Sequence, residues 1–412
     1  MKTAIIGGGL GGLMTAVLLA ERGAEVTILE RARELGGRAR TTNTAGYSLN
    51  FGPHAIYRGG PAESVLTRIG VKPNGLRPKA RGFVLHEGSL HTLPTGPVSL
   101  LTTGFLDAGG TWDAARLLGR IAKLEATGDE TLGEWLARNV PHPRVRALFA
   151  TLVMVATYTY PVEPLRARDA FVQVKAAMGP GVIYLHRGWQ TLVDGVAARA
   201  AALGVTIATG ARIAEVRSRS IVFDDGSEQS FDGVVVACGP RTAHELVPND
   251  AAIARAAARA QPVEVACLDV VLERATRPAT ILLGADEPYY ASVHSATAQL
   301  GPEGDGAVVH VAKYLAPGAT ATESELRAVL ERLQPGAVVR DSRFLPRMVV
   351  MNARATADLG GLDGRIDAPD TDGLALVGDW VGPRGMLLDA VAASAEAAAE
   401  RLLPTHAMVA NG

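Results

Sequence analysis

The sequence predicts an α/β protein in two interleaved parts, a parallel-sheet nucleotide-binding part and a second α+β part inserted into it. Three observations carry that expectation. Residues 1–40 read as strand, helix, strand with glycines at the first turn; the character of the chain changes between about Arg77 and Pro180; and an apolar strand ending in Gly378-Asp379 precedes a long helix from Leu387 to Leu402.

The first forty residues organise the rest. Lys2 to Ile6 is a short β-branched run, Leu13 to Glu21 has helical apolar spacing, and Glu25 to Leu29 alternates back into a strand. Gly7, Gly9 and Gly12 stand between the first strand and the helix in G-x-G-x-x-G spacing, with Leu10 and Gly11 inside the motif. Gly7 allows a tight turn, Gly9 lets a pyrophosphate approach the backbone, and Gly12 lets the helix pack on the strand with its N-terminus towards the phosphates. Glu30 ends the second strand, where a carboxylate accepts ribose hydroxyls and repels a 2′-phosphate, which disfavours NADP. Dinucleotide binding is the expectation.

Composition bounds the alternatives. The chain has 412 residues, 48% apolar and 20% charged, enough for two or three domains and a large core, and this excludes the disordered class. Net charge is near zero and no basic stripe occurs, which argues against a nucleic-acid partner. Cys238 and Cys267 fall in apolar runs outside any metal-ligand or C-x-x-C spacing, so reduced thiols and no metal are expected. Lys2 and the apolar run after it lack the cleavage site of a signal peptide, and a cytoplasmic location is expected. No uninterrupted apolar stretch is long enough to span a bilayer, although the positive mean hydropathy leaves room for peripheral membrane contact.

Arg31, Gly36, Gly37, Arg38 and Thr41 follow Glu30 at once, bringing a second glycine pair and a guanidinium back towards the same pyrophosphate. In this Glu-Arg … Gly-Gly-Arg succession after a dinucleotide fingerprint the chain resembles the flavoprotein superfamily of amine oxidases, phytoene desaturases and protoporphyrinogen oxidases. The resemblance implies FAD and a Rossmann-like, glutathione-reductase-like domain. That FAD domain would be discontinuous, near 1–76, 185–260 and 345–412, with an inserted α+β substrate domain near 77–184 and 261–344. The remaining elements are assigned in that frame.

Tyr47 to Tyr57 alternates and turns at Gly52-Pro53, as a strand does that delivers a loop. By resemblance Gly52, Pro53 and His54 lie beside the flavin ring, and His54 is the one candidate catalytic histidine. Gly82 to Leu93 reads as a hairpin carrying His86 and His91; helical stretches follow at Trp112 to Glu125, Leu132 to Asn139 and Val145 to Val155. Gly188 to Gly204 is a glycine-bounded amphipathic helix before the strand Val205 to Ala208. Ile213 matches the position that grips the adenine, and Cys238 with Gly239 lies near the adenosine half. The hairpin Ile221 to Phe231 turns at Asp225-Gly226, and Gly233 to Cys238 is an apolar strand of the buried parallel kind. Val263 to Leu272 and Val308 to Tyr314 read as alternating strands, with a helix near Glu323 to Leu333. The second signature brings Gly378 and Asp379, the latter towards the ribityl chain, and the amides of Met386 and Leu387 towards the flavin's pyrimidine oxygen, where a helix N-terminus favours negative charge.

Three departures from the family pattern bear on the reaction. The lysine that amine oxidases place in the substrate-domain sheet falls at Ala266 or Cys267, and Lys175 and Lys313 read as surface groups. One wall of the aromatic cage falls at Met386. The loop Gly382-Pro383-Arg384-Gly385 has no cysteine for covalent attachment, so the FAD is expected to be non-covalent. These features point to two-electron dehydrogenation of an apolar or amphipathic small molecule, with C–C desaturation favoured. The alternatives are an amine or amino-acid oxidase, a redox-neutral flavin-dependent isomerase, and a non-catalytic prenyl-escort-like binding protein, the last disfavoured by intact Gly7, Gly9, Gly12, Arg38 and Asp379.

Overall fold

Parallel pairing sets the first layer. Strand Lys2–Ile6 pairs on one side with Glu25–Glu30 and on the other with Gly233–Val236, giving the order Thr206–Thr209, Glu25–Glu30, Lys2–Ile6, Gly233–Val236, Leu374–Leu376 with every pair parallel. Such strands are buried on both faces, which is why Gly233–Val236 reads as an unbroken apolar run. The helices Leu10–Ala20, Gln190–Ala202 and Leu387–Leu402 cover one face. A three-stranded meander, Ile213–Val216, Ser220–Phe223 and Glu228–Ser230, covers the other through Val216 and Ile221. This is the computed structural model of the chain, and it describes residues 1–79 and 81–404. Residue 80, and residues 405–412 that the sequence assigns to the nucleotide-binding part, lie outside the described residues.

A seven-stranded sheet forms the second layer system, in the order Val339–Met351, Val263–Leu272, Ala307–Leu315, Tyr289–Val293, Ile281–Gly284, Gly82–His86, Ser89–Thr92. The strands Val263–Leu272 and Ala307–Leu315 are buried almost end to end and do not alternate between core and solvent as the sequence reading expects. The reason is that both faces are covered. Helix Glu323–Leu333 packs Leu326 and Leu330 against Ala266 and Leu268 on one side, while Leu132–Asn139, Pro143–Thr157 and Ala167–Met178 pack Trp135, Phe149 and Phe171 towards Val265 and Cys267 on the other. Strand Val339–Met351 runs through residue 345, where the sequence divides the two parts, and stays in the large sheet to its end. Among the described residues no helix is long and apolar enough to cross a membrane.

Helix Leu387–Leu402 is the joint between layers, packing on both Leu10–Ala20 and Pro61–Arg68. Asp389, in its first turn, is buried, and its Oδ1 accepts the Ala62 amide at 2.9 Å, serving a helix start whose own N-cap is Gly60. A Cβ at Gly60 would lie 2.4 Å from Asp389 Oδ2, so only glycine admits the carboxylate. Burial pushes the Asp389 carboxyl up to about 6, against the opposing pull of the Ala62 hydrogen bond.

A raised carboxyl pKa means that ionisation costs stability above pH 6, a cost that fades as the pH falls from about 6 towards 4 and the folded chain takes up its proton. Asp389→Asn keeps an acceptor for Ala62 and removes the charge. It should stabilise the protein at pH 8 by on the order of 2 kcal/mol and lose that advantage near pH 4. Thermal unfolding across this range measures the effect; a variant that melts no later than the parent at pH 8 would refute it.

Candidate active site

The ends of the parallel strands open into one cavity of about 780 Å³, lined at its floor by Gly7, Glu30, Cys238 and Gly378, which follow or close four neighbouring strands. This is where ligands settle in open parallel sheets. Gly7 has φ +114°, and a Cβ there would lie 2.6 Å from the Ala237 carbonyl oxygen. A Cβ on Gly12 would lie 2.0 Å from the Gly7 carbonyl oxygen, so Gly12 packs helix against turn and does not itself line the cavity. Gly9 caps helix Leu10–Ala20 without any side-chain bond to the first-turn amides, and no acidic residue occupies that turn. Its exposed N–H groups suit an anion.

The second glycine pair returns to the first. The Gly36 amide donates to the Gly8 carbonyl at 2.8 Å, Gly9 and Gly36 form a parallel bridge, and Gly36 and Gly37 both have positive φ. Leu10, Gly11, Arg31, Gly36 and Gly37 all line the cavity. The Glu30 carboxylate accepts the Gly8 amide at 2.6 Å and the Ala32 amide at 2.7 Å, which aims it along the cavity wall with lone pairs to spare.

Arg38 meets Asp379 from the far end of the sequence. Its Nη1 lies 2.6 Å from Asp379 Oδ2 and 2.8 Å from the Val350 carbonyl oxygen. Asp379 is buried, and its other oxygen accepts the side-chain amide of Asn352 at 2.7 Å. A buried carboxylate so satisfied stays fixed at the cavity edge. Ile213 and Gly239 line the same end, and the Cys238 carbonyl accepts Trp380 Nε1 at 2.9 Å. Burial pushes the Cys238 thiol up to about 12, so it stays protonated.

At the other end the wall is the loop after strand Tyr47–Asn50. Phe51, Pro53 and His54 line the cavity, while Gly52 is buried beneath it. His54 Nδ1 donates to the Gly52 carbonyl at 3.0 Å, and its ring meets Trp189 edge-on at 4.9 Å. Burial depresses the His54 imidazole, leaving it neutral. Tyr158, Val265, Cys267, Met348 and Val350 also line the cavity, and Cys267 and Met348 lie directly against Gly52. Burial raises the Cys267 thiol and the Tyr158 phenol well above their usual ranges, and Tyr158 donates to the Pro53 carbonyl at 3.1 Å. No lysine stands among the lining residues; Lys313 pairs with Glu325 at 3.1 Å. Leu387 lines the cavity with φ +54°, an uncommon state for a branched residue, whereas Met386 is buried beside Met351 and Leu362 away from it.

Sequence reasoning missed Tyr57, Tyr158, Trp189, Asn352 and Asp389, all of which line the cavity. Trp189 follows the glycine that leads its helix, and Asp389 is an acid in an alanine-rich helix, signals that were available; Tyr158 and Asn352 carry none.

A family model for flavin containing amine oxidoreductases matches residues 10–293. An oxidoreductase from Methanosarcina mazei shares the fold with TM-score 0.77 at 20% identity, covering 96% of this chain and 99% of that one. Putrescine oxidase bound to putrescine gives 0.75 at 15% identity over 98% and 100%. Curated relatives align over shorter stretches. The 4,4'-diapolycopen-4-al dehydrogenase of Metabacillus indicus is 39% identical over 71 residues, 17% of this chain and 14% of that protein. Protoporphyrinogen oxidase 2 of Arabidopsis thaliana is 28% identical over 108 residues, 26% of this chain and 21% of that protein. The paired glycine turns, the acid that closes the second strand and a family match over most of the chain lead to one conclusion: the chain belongs to the flavin-containing amine oxidoreductases, a family of FAD-dependent oxidoreductases.

Proposed function

We propose that this chain binds FAD non-covalently and dehydrogenates an apolar or amphipathic small molecule by two electrons, with C–C desaturation favoured. The carrying observation is the apolar lining beside the Gly52 loop, where Val265, Cys267, Met348 and Val350 stand and no lysine is among the lining residues. In this reading the amides at Gly9 to Gly12 and Gly36 to Gly37 hold the pyrophosphate, and Glu30 the ribose. Ile213, Cys238 and Gly239 take the adenosine half. Arg38 and Asp379 meet the ribityl and phosphate groups, and the Leu387 amide faces the pyrimidine edge. When bound, FAD supplies the hydride acceptor. The chain's residues exclude water and hold the substrate's C–H bond near the His54 loop, where the neutral imidazole has its Nδ1 proton committed to Gly52. The domains follow suit, with 1–76, 185–260 and 345–412 carrying the cofactor and 77–184 and 261–344 the substrate, except that residues 345–351 stay with the large sheet. Relatives named as carotenoid 3,4-desaturase and 4,4'-diapophytoene desaturase support an apolar substrate.

A second reading, amine oxidation, draws on Tyr57, Tyr158 and Asp389, which offer rings and a carboxyl to an ammonium group on the same cavity. Anaerobic exposure of the holoprotein to a panel of polyenes, amines and amino acids separates the two, through bleaching of the flavin absorption. Bleaching by a polyene or another apolar C–H donor is expected; bleaching by amines alone overturns the leading reading.

Two substitutions test the cofactor contacts. Glu30→Ala removes a charge-assisted ribose bond worth roughly 1.5–3 kcal/mol, and Arg38→Lys keeps charge but loses the planar fork, so both should lower FAD occupancy of purified protein. Undiminished affinity in either variant returns that residue to a structural role. Flavin should leave the polypeptide entirely on acid denaturation.

Reduction by a C–H donor should vary little between about pH 7 and 9, because burial holds His54 neutral there and Cys267 and Tyr158 protonated. His54→Asn should slow it by less than the ~100-fold typical of losing a general acid or base. Stopped-flow reduction that climbs steeply with pH would instead indicate an amine whose neutral form reacts.

A further inference from the structure

A single polar row crosses the large sheet beneath the Gly52 loop. Asp269 stands opposite His310 on one neighbouring strand and opposite Arg343 on the other, and His310 stands opposite Ser292 on the next. Cross-strand partners share a sheet face. His310 Nδ1 lies 2.6 Å from Asp269 Oδ1, and Arg343 Nη2 lies 2.6 Å from Asp269 Oδ2. His294, just past the Ser292 strand, sets its ring edge-on to His310 at 4.7 Å, contacts Ser292 Oγ through Nδ1 at 3.0 Å and stacks on Tyr184 at 3.9 Å. Asp269 and His310 are fully buried and His294 is 2% exposed.

What distinguishes the row is where its bonds end. Arg343 Nη2 donates to the Asn50 carbonyl at 2.5 Å, and its guanidinium carbon lies 4.5 Å from the centre of the Phe51 ring. Asp269 Oδ2 accepts the Gly52 amide at 3.4 Å, and His294 Nε2 donates to the His54 carbonyl at 3.3 Å. Four of the five residues 50–54, the strand end Asn50 and three of the loop, are therefore held by one row. Gly52 is also pressed onto the sheet: a Cβ there would lie 2.7 Å from Cys267 Sγ, and its φ is +80°. Burying such charges is expensive, and apolar residues hold strands together as well or better. Strand cohesion alone therefore does not account for the row, whereas fixing the loop does. Burial opposes ionisation of Asp269, yet the facing His310 and Arg343 keep its carboxyl below the usual range, so both loop-side bonds stay charge-assisted.

We propose that Ser292, His294, His310, Asp269 and Arg343 act together as positioning residues that fix the Phe51–His54 wall of the cavity against bound cofactor. The proposal rests on the FAD reading above. Arg343, the least buried member, gives the safest test. Arg343→Lys keeps a positive charge beside Asp269 but loses the fork that reaches Asn50 and Phe51, and Ser292→Ala perturbs the opposite end of the row with a mild change. Apoprotein of each is titrated with FAD, the visible flavin bands are recorded, and melting is followed by circular dichroism. For Arg343→Lys we expect parental melting, FAD binding weaker by on the order of tenfold and displaced flavin bands, the size being that of one charge-assisted bond; Ser292→Ala should displace the bands the same way by less. Parental affinity and bands in both variants overturn the proposal alone. Parent protein that takes up no FAD overturns the cofactor reading instead, and the two failures are thereby told apart.

Discussion

Two backbone turns touch, both using glycines with positive φ, and the cavity depends on that contact. The Gly36 amide reaches the Gly8 carbonyl at 2.8 Å, while a Cβ on Gly8 would lie 2.5 Å from Leu35 and one on Gly12 would lie 2.0 Å from the Gly7 carbonyl oxygen. Because helix Leu10–Ala20 can approach the turn this closely, its uncapped amides end up at the cavity floor. The same approach brings the Gly8 amide to Glu30 and so orients the acid. A methyl group at Gly7 or Gly12 would strike backbone and force the helix away from the turn.

Around this point, buried carboxylates decide how distant segments meet. Asp379 receives Arg38 and Asn352, Asp389 receives Ala62, Asp169 receives the Leu362 amide at 2.9 Å, and Asp269 receives His310 and Arg343. A carboxylate left unpaired in the interior costs several kcal/mol. Each therefore fixes its partner segment in one place, a geometric selectivity that apolar packing supplies less sharply. Asp379 and Asp389 line the cavity and Asp269 underlies its loop, so three of the four control the cavity's shape.

The parallel-sheet half was the more legible in sequence because its signals are local. Strand, glycine turn and helix follow one another within residues 1–40, and the helices Leu132–Asn139, Glu323–Leu333 and Leu387–Leu402 fall where the sequence reading places them. Helices Pro61–Arg68 and Ala167–Met178 escaped notice, the first being short and the second lying between irregular segments. The strands Val263–Leu272 and Ala307–Leu315 looked alternating although both faces are buried, since which helices cover a sheet is a tertiary fact. The Asp269 row was invisible for a sharper reason. It exists only in one register of four strands, and a slip of one residue would turn each member to the opposite face.

The division of polar and apolar surface along the cavity bears on the kind of chemistry it can host. Glu30, Arg31, Arg38, Asn352 and Asp379 gather at the glycine-rich end, whereas the wall by the Gly52 loop presents a protonated thiol, a thioether and aromatic rings. Of the groups at that wall, burial moves His54, Cys267 and Tyr158 each towards its uncharged form. Asp389, at about 6, is the lining carboxyl that burial brings towards neutral pH, and it already serves Ala62. A site with so little acid and base equipment must gain rate from orientation and water exclusion more than from proton transfer. Small errors in the position of the wall then cost heavily, and this is the condition under which a sheet would retain a buried, charged row to hold one loop still.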